Sequence, residues 1–224
     1  MRWLAIWVAA GLAVTAALPA SAAEAPEPAW RVAARALSRD KLKHPAWGYS
    51  HSLRDYRLAK EMAAADHVAV DDDVLFAAAM LHDMAGFAPW EDKTRDHSDV
   101  AADLVPAMLK EWGFPAGKIP AVQGAIRTHM YYRDPVGAEA RYIHDADAID
   151  WLGAIGVFRI AALVDPAGGK PDGPRAVALL EDNLAKVPGR IVTPAGKALI
   201  PARKAELEKF LKDLRAETLD LGDL

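Results

Sequence analysis

The chain contains no cysteine. That excludes a thiol nucleophile, a cysteine zinc site, any disulfide and a lipidated N-terminal cysteine. It also has no excess of positive charge: 27 Lys and Arg face 31 Asp and Glu, for a formal net charge of -4. A protein dedicated to duplex nucleic acid draws most of its affinity from neutralised phosphates, so that class is excluded. A small anion is not, because local positive groups or a metal suffice for it. Runs of alternating polar and apolar residues, the mark of half-buried strands, are missing as well.

What is present is apolar substance: 52% of the 224 residues are hydrophobic, enough for one compact core. The N-terminus is a separate matter. Arg2 precedes an almost wholly apolar run from Leu4 to Leu18, and Ala20-Ser21-Ala22 forms an A-x-A cleavage pattern. The run is about 15 residues, short of the roughly 20 that a spanning helix needs. Residues 1–23 therefore read as a secretory signal peptide, 24–29 as a proline-restricted spacer, and 30–224 as a single exported domain, placed in a bacterial periplasm and not in a membrane.

From Trp30 onward the apolar residues recur at helical spacing. Helices are expected over Trp30–Lys43, His51–Val68, Val74–Leu81, Asp96–Trp112 and Lys118–Tyr132. Beyond them come Glu139–Val164 in one or two pieces, Arg175–Lys186 and Arg203–Leu214. Asp71, Asp72 and Asp73 stand where acidic groups cap a helix start and complement its dipole. Gly153 and Gly156 offer a small face to a neighbour. The expected fold class is all-α.

The segment Val74–Leu81 is apolar nearly all round, which places it centrally, yet it runs straight into His82-Asp83. Burying an ionisable pair costs several kcal/mol unless it is satisfied. A divalent metal satisfies it well, since imidazole nitrogen and carboxylate oxygen are common ligands. Two adjacent residues reach one ion if the helix unwinds at that point. Further ligands must come from elsewhere, and His51 and Asp145, each near a helix edge, are the candidates. Asp147 lies roughly 200° round a helix from Asp145, so the two cannot share one ion, and Asp147 and Asp150 are expected to cap or pair locally.

The order His51, then Leu81-His82-Asp83 with Gly86 following, then Ile126-Arg127-Thr128-His129-Met130, then His144-Asp145-Ala146-Asp147-Ala148-Ile149-Asp150 running into Trp151-Leu152-Gly153-Ala154-Ile155-Gly156, resembles the HD superfamily of metal-dependent phosphohydrolases. The nearest pattern is that of small stand-alone HD hydrolases whose closing motif reads DADRLDALGAIG; Ala148 stands where that motif usually has arginine. The resemblance implies a helical bundle with a divalent ion (Mn, Mg, Fe, Co or Ni) held by His51, His82, Asp83 and Asp145. It implies hydrolysis of a phosphoric ester or anhydride in a small phosphorylated substrate such as a nucleotide, by metal-activated water. Asp83 would orient that water, while Arg54 or Lys93 would meet the phosphate. The resemblance also leaves two roles open to His97 and His129, a second metal or the substrate phosphate, and with a second metal a dinuclear iron oxygenase enters as the rival reading. A catalytically idle binding module is the third. The remaining histidines, His44, His67 and His144, are expected at the surface or behind the site, and Trp47, Tyr49, Trp90, Tyr131 and Tyr132 in packing, with a base-stacking pocket as the alternative.

Overall fold

The computed structural model describes residues 26–224, so the signal-peptide reading lies outside the described residues. Of the spacer, Pro26 to Pro28 is described; it is extended and exposed, and Glu27 takes both Arg35 guanidinium nitrogens at 2.6 and 2.7 Å.

The described residues contain nine α-helices and no strand. They are α1 (Ala29–Lys41), α2 (Tyr49–Ala65), α3 (Asp72–Leu81), α4 (His97–Glu111), α5 (Ile119–Arg127), α6 (Ala138–Ile149), α7 (Gly153–Ala161), α8 (Gly173–Lys186) and α9 (Pro194–Glu217). No helix among them is long and apolar enough to cross a membrane.

The centre is α3. Every residue from Val74 to Leu81 is buried, and α1, α2, α5 and α6 pack around it. Each fully buried Leu, Met or Phe there contributes about 1.5–3 kcal/mol. That gain outweighs the weak moment of a helix with no polar side. Its start is capped as expected: the Asp71 carboxylate accepts from the Asp73 and Val74 amides at 3.0 and 3.3 Å. Its end is abrupt. His82 is still helical, but Asp83 leaves the α region (φ -94°, ψ 4°) and Met84–Gly86 forms a 3-10 turn.

Most boundaries shift by one to three residues; two shift further, and the expectation of one or two pieces over Glu139–Val164 resolves as two. α5 stops at Arg127 rather than Tyr132, because Thr128 Oγ1 and His129 Nδ1 turn back onto the carbonyls of Gly124 and Ile126. Between α6 and α7 the chain breaks at 150–152, and α7 restarts at Gly153 with φ +66°. A Cβ at Gly153 would lie 2.6 Å from the Glu206 carboxylate of α9, so the small face does meet a neighbour. α9 begins nine residues early, at Pro194 rather than Arg203. Thr193 caps it by accepting the Gly196 amide at 3.1 Å, and Pro194 suits the first turn, where its missing N–H costs nothing. Pro201 inside the helix made the start look later than it is.

Candidate metal centre

Four elements converge on one point. Helix α2 carries His51 and, one turn on, Asp55; α6 carries Asp147 and Asp150 at the same one-turn spacing; the end of α3 supplies His82 and Asp83; the end of α5 supplies His129. His51, Asp55, His82 and His129 are wholly buried.

His82 and His129 are held by the same device. Each sits just past a helix end and donates from Nδ1 to the carbonyl three residues back: His82 to Ala79 at 2.9 Å, His129 to Ile126 at 2.7 Å. His51 donates from Nδ1 to the Asp150 carboxylate at 2.8 Å. With Nδ1 committed, Nε2 of each ring presents a lone pair, and these lone pairs point at one another and at carboxylates. His51 Nε2 lies 3.2 Å from His82 Nε2, 3.1 Å from Asp55, 3.2 Å from Asp147 and 3.5 Å from Asp83. His82 Nε2 is 3.3 Å from the same Asp83 oxygen, Oδ2. Such a convergence of electron-rich atoms is what a cation needs, and a hydrogen-bonded Nδ1 is how proteins orient metal-bound histidine.

Two groups have the geometry of a metal site: His51, Asp55, His82 and Asp147, and beside them His82, Asp83 and His129. Asp83 joins them. Its Oδ2 faces His51 and His82, while its Oδ1 faces His97 at 3.2 Å and His129 at 3.5 Å. His97 Nε2 and His129 Nε2 are 3.3 Å apart, so both histidines of the open expectation do reach the cluster.

Asp145 does not. Its carboxylate accepts from the Val192 and Thr193 amides, the Thr193 hydroxyl at 2.6 Å and His144 Nδ1 at 2.8 Å. With its lone pairs taken, it pins the start of α9 to α6. Asp147, expected to pair locally, occupies the position that the sequence assigned to Asp145. The physical reason is the 3.6-residue turn: the face of α6 that meets α2 carries 147 and 150, and 145 points the other way. His144, expected at the surface or behind the site, is buried beside Asp145.

Arg54 is also redirected. Its guanidinium forms a fork with Asp150, at 2.9 Å from Nε and 2.8 Å from Nη2, and so acts on the carboxylate that orients His51 rather than on a phosphate. Lys93 is exposed in the loop before α4 and does not line the cavity over the cluster.

Three functional positions escaped the sequence reading. Asp55 had a signal, its one-turn spacing from His51. Arg159 stands alone in the apolar stretch Ile155 to Ile160 and is fully buried; it donates to the Ala46 carbonyl at 2.6 Å, approaches His51 Nε2 at 3.3 Å and Asp150 at 3.1 Å, and lies 3.5 Å over the Trp151 ring. Trp151, with Trp47, Met130 and Gly86, walls a cavity of about 290 Å³ whose floor is Asp83, His97 and Asp147. His44 stacks on Trp47 at 3.7 Å, which fixes that wall.

The electrostatics follow from the burial. Desolvation and Arg159 oppose a charge on His51, but Asp55, Asp147 and Asp150 outweigh them and hold its pKa well above the ordinary value. His82, lacking so many partners, is pushed down by burial. Burial alone would raise Asp83, yet the surrounding histidines hold it well below the carboxylate range. Asp55 goes the other way: desolvation, with Asp150 and Asp147 close by, raises it well above that range.

A helical bundle that gathers histidines and carboxylates around the end of its central helix is compatible with a bound divalent metal. Residues 48–152 match the family model of the HD domain, and this segment is an HD domain. Among curated proteins none matches it. Solved structures share the fold: a Lactobacillus plantarum protein (23% identity, TM-score 0.64, covering 84% of this chain and 96% of its own) and Bacillus subtilis YpgQ in complex with ADP (20%, 0.64, 84% and 97%). A predicted HD superfamily hydrolase from an uncultured Thermotogales bacterium aligns similarly (23%, 0.58, 84% and 90%).

Proposed function

We propose that this protein is a metal-dependent phosphohydrolase acting on a small phosphorylated substrate. The observation that carries the reading is the asymmetry of the cluster. His51, Asp55 and His82 are sealed, whereas the Asp83 side chain is 12% exposed and that of His97 30%, both toward the cavity. His51, His82, Asp83 and Asp147 would hold an ion from behind and leave the cavity side to substrate, as suits a catalytic rather than a structural site. When bound, it supplies a water of lowered pKa and a Lewis acid for a phosphoryl oxygen.

The chain's own residues do the rest. Asp83 Oδ1 faces the cavity and is placed to orient the attacking water. His97 Nε2, on the open rim, is placed to meet a phosphoryl or leaving oxygen. Trp47 and Trp151 exclude bulk water and offer flat faces to a base or another apolar substituent. Arg159, beneath them, offsets the charge of Asp147 and Asp150.

The fold shared with an ADP-bound protein puts nucleotides on the substrate panel. The test is phosphate release by purified protein loaded in turn with Mn²⁺, Mg²⁺, Fe²⁺, Co²⁺ and Ni²⁺, across nucleotides and simple phosphate esters. The second ligand group, His82, Asp83 and His129, favours one rival, a dinuclear iron oxygenase. Two irons per chain with oxygen uptake and no phosphate release would overturn the hydrolase reading. We propose further, on Arg2, the apolar run and Ala20-Ser21-Ala22, that the protein is exported; N-terminal sequencing of protein secreted by a bacterial host should begin just after Ala22.

A further inference from the structure

Asp55 is a buried carboxylate without a hydrogen-bond donor on either oxygen. It stands in α2, one turn beyond His51, and Oδ2 lies 3.1 Å from His51 Nε2 and 3.6 Å from His82 Nε2. A carboxylate taken out of water with no partner costs free energy that any apolar side chain of similar size would save. Something must offset it.

A proton on His51 does not suffice. Nδ1 is committed to Asp150, so only one N–H is available at Nε2. Asp55 at 3.1 Å, Asp147 at 3.2 Å and Asp83 at 3.5 Å would all compete for it. A cation placed among the oxygens serves all three together. The charges agree: Asp55, Asp83, Asp147 and Asp150 face only Arg54 and Arg159, and with neutral imidazoles the remainder is the charge of one divalent ion.

We propose that Asp55 is itself a ligand of the ion held by His51, His82, Asp83 and Asp147, and that it makes this an oxygen-rich site. Two imidazoles and three carboxylates suit Mn²⁺, Mg²⁺ or Fe²⁺ better than Zn²⁺, which favours four ligands richer in nitrogen or sulfur. The inference rests on the metal-site reading of the cluster but is separable from it.

The experiment is Mn²⁺ binding, followed by electron paramagnetic resonance of the free ion and by calorimetry, on wild type, Asp55→Asn, Asp55→Leu and His82→Ala. Melting temperatures are taken with chelator and with Mn²⁺. Wild type is expected to bind, and Asp55→Asn to bind at least about tenfold more weakly, the scale on which even indirect supports of a site are felt. Asp55→Leu, relieved of a buried carboxyl group that has no hydrogen-bond partner, should melt above wild type in chelator and gain little from Mn²⁺. A merely structural carboxylate predicts the opposite sign in chelator. Asp55→Asn or Asp55→Leu binding Mn²⁺ as tightly as wild type overturns the ligand role and leaves the metal site standing. Wild type that binds no metal overturns both.

Discussion

Asp147 Oδ1 lies 3.2 Å from His51 Nε2, joining α6 to α2 across the centre of the cluster, while Asp145, two residues earlier on α6, spends its carboxylate on the chain at 192–193. The two aspartates of one short motif therefore have different tasks, one chemical and one architectural. Asp147→Asn should lose metal binding and activity with little loss of fold. Asp145→Asn should keep its metal stoichiometry but lose about 2–4 kcal/mol, because buried donors aimed at a charged acceptor are left poorly satisfied. Metal analysis beside urea denaturation separates them.

His51 predicts a pH dependence. Its folded pKa is raised well above the ordinary 6.5 by Asp55, Asp147 and Asp150, against burial and Arg159. The stability this contributes to metal-free protein is fully present below the unfolded pKa and is lost as pH rises through the folded one. In chelator the melting temperature should therefore fall as pH rises from about 6.5 through the raised folded pKa of this group. Metal must displace the same proton, so apparent Mn²⁺ affinity should climb over the same window. Calorimetry in buffers of different ionisation heat would count the proton released. An affinity flat with pH would contradict the assignment.

Arg159 is a buried cation shared among the Ala46 carbonyl, Asp150 and the Trp151 face. Arg159→Met should destabilise by about 3–5 kcal/mol, since carboxylates are left uncompensated. Arg54→Met, whose side chain is 23% exposed, should cost less and should chiefly weaken metal binding through a looser Asp150 and His51. Thermal melts of the two variants give the ranking.

The floor of the cavity carries two carboxylates, with Arg159 the one guanidinium among the lining residues. An anion should therefore not bind before the metal. Inorganic phosphate or a nucleotide should give no binding heat in chelator and a measurable one with Mn²⁺. Trp47→Ala should raise KM for a substrate with an aromatic base and leave metal affinity unchanged.

His97 and His129 face Asp83 Oδ1, away from the innermost ligands. His129→Ala should remove a second ion if one is held, leaving the ion at His51 and His82 in place. Metal content per chain in wild type and variant gives the answer directly.

Much of this architecture was legible in the linear chain. The all-helical class followed from spacing, the central place of α3 from a run with no polar side, and the cap at Asp71 from its chemistry. His82 and Asp83 stood out because an ionisable pair at the end of such a run demands a partner. These are local properties, set within a few turns by periodicity, propensity and the cost of burying charge. The choice between Asp145 and Asp147 was not local. It depends on how α6 is rotated against α2, and that rotation is decided by packing, with α9 claiming one face and the cluster the other. Arg54 was likewise one turn from His51 in either case; only the approach of Asp150 across the bundle turned its charge away from the cavity. Asp55 and Arg159 belong to the same class, residues whose burial, and so whose chemistry, arises only when four helix ends meet. The chain by itself determined that a helical bundle with histidine and carboxylate at the end of its central helix would form. The tertiary structure decided which oxygens face the histidine cluster, because that is a matter of helix rotation and not of sequence order.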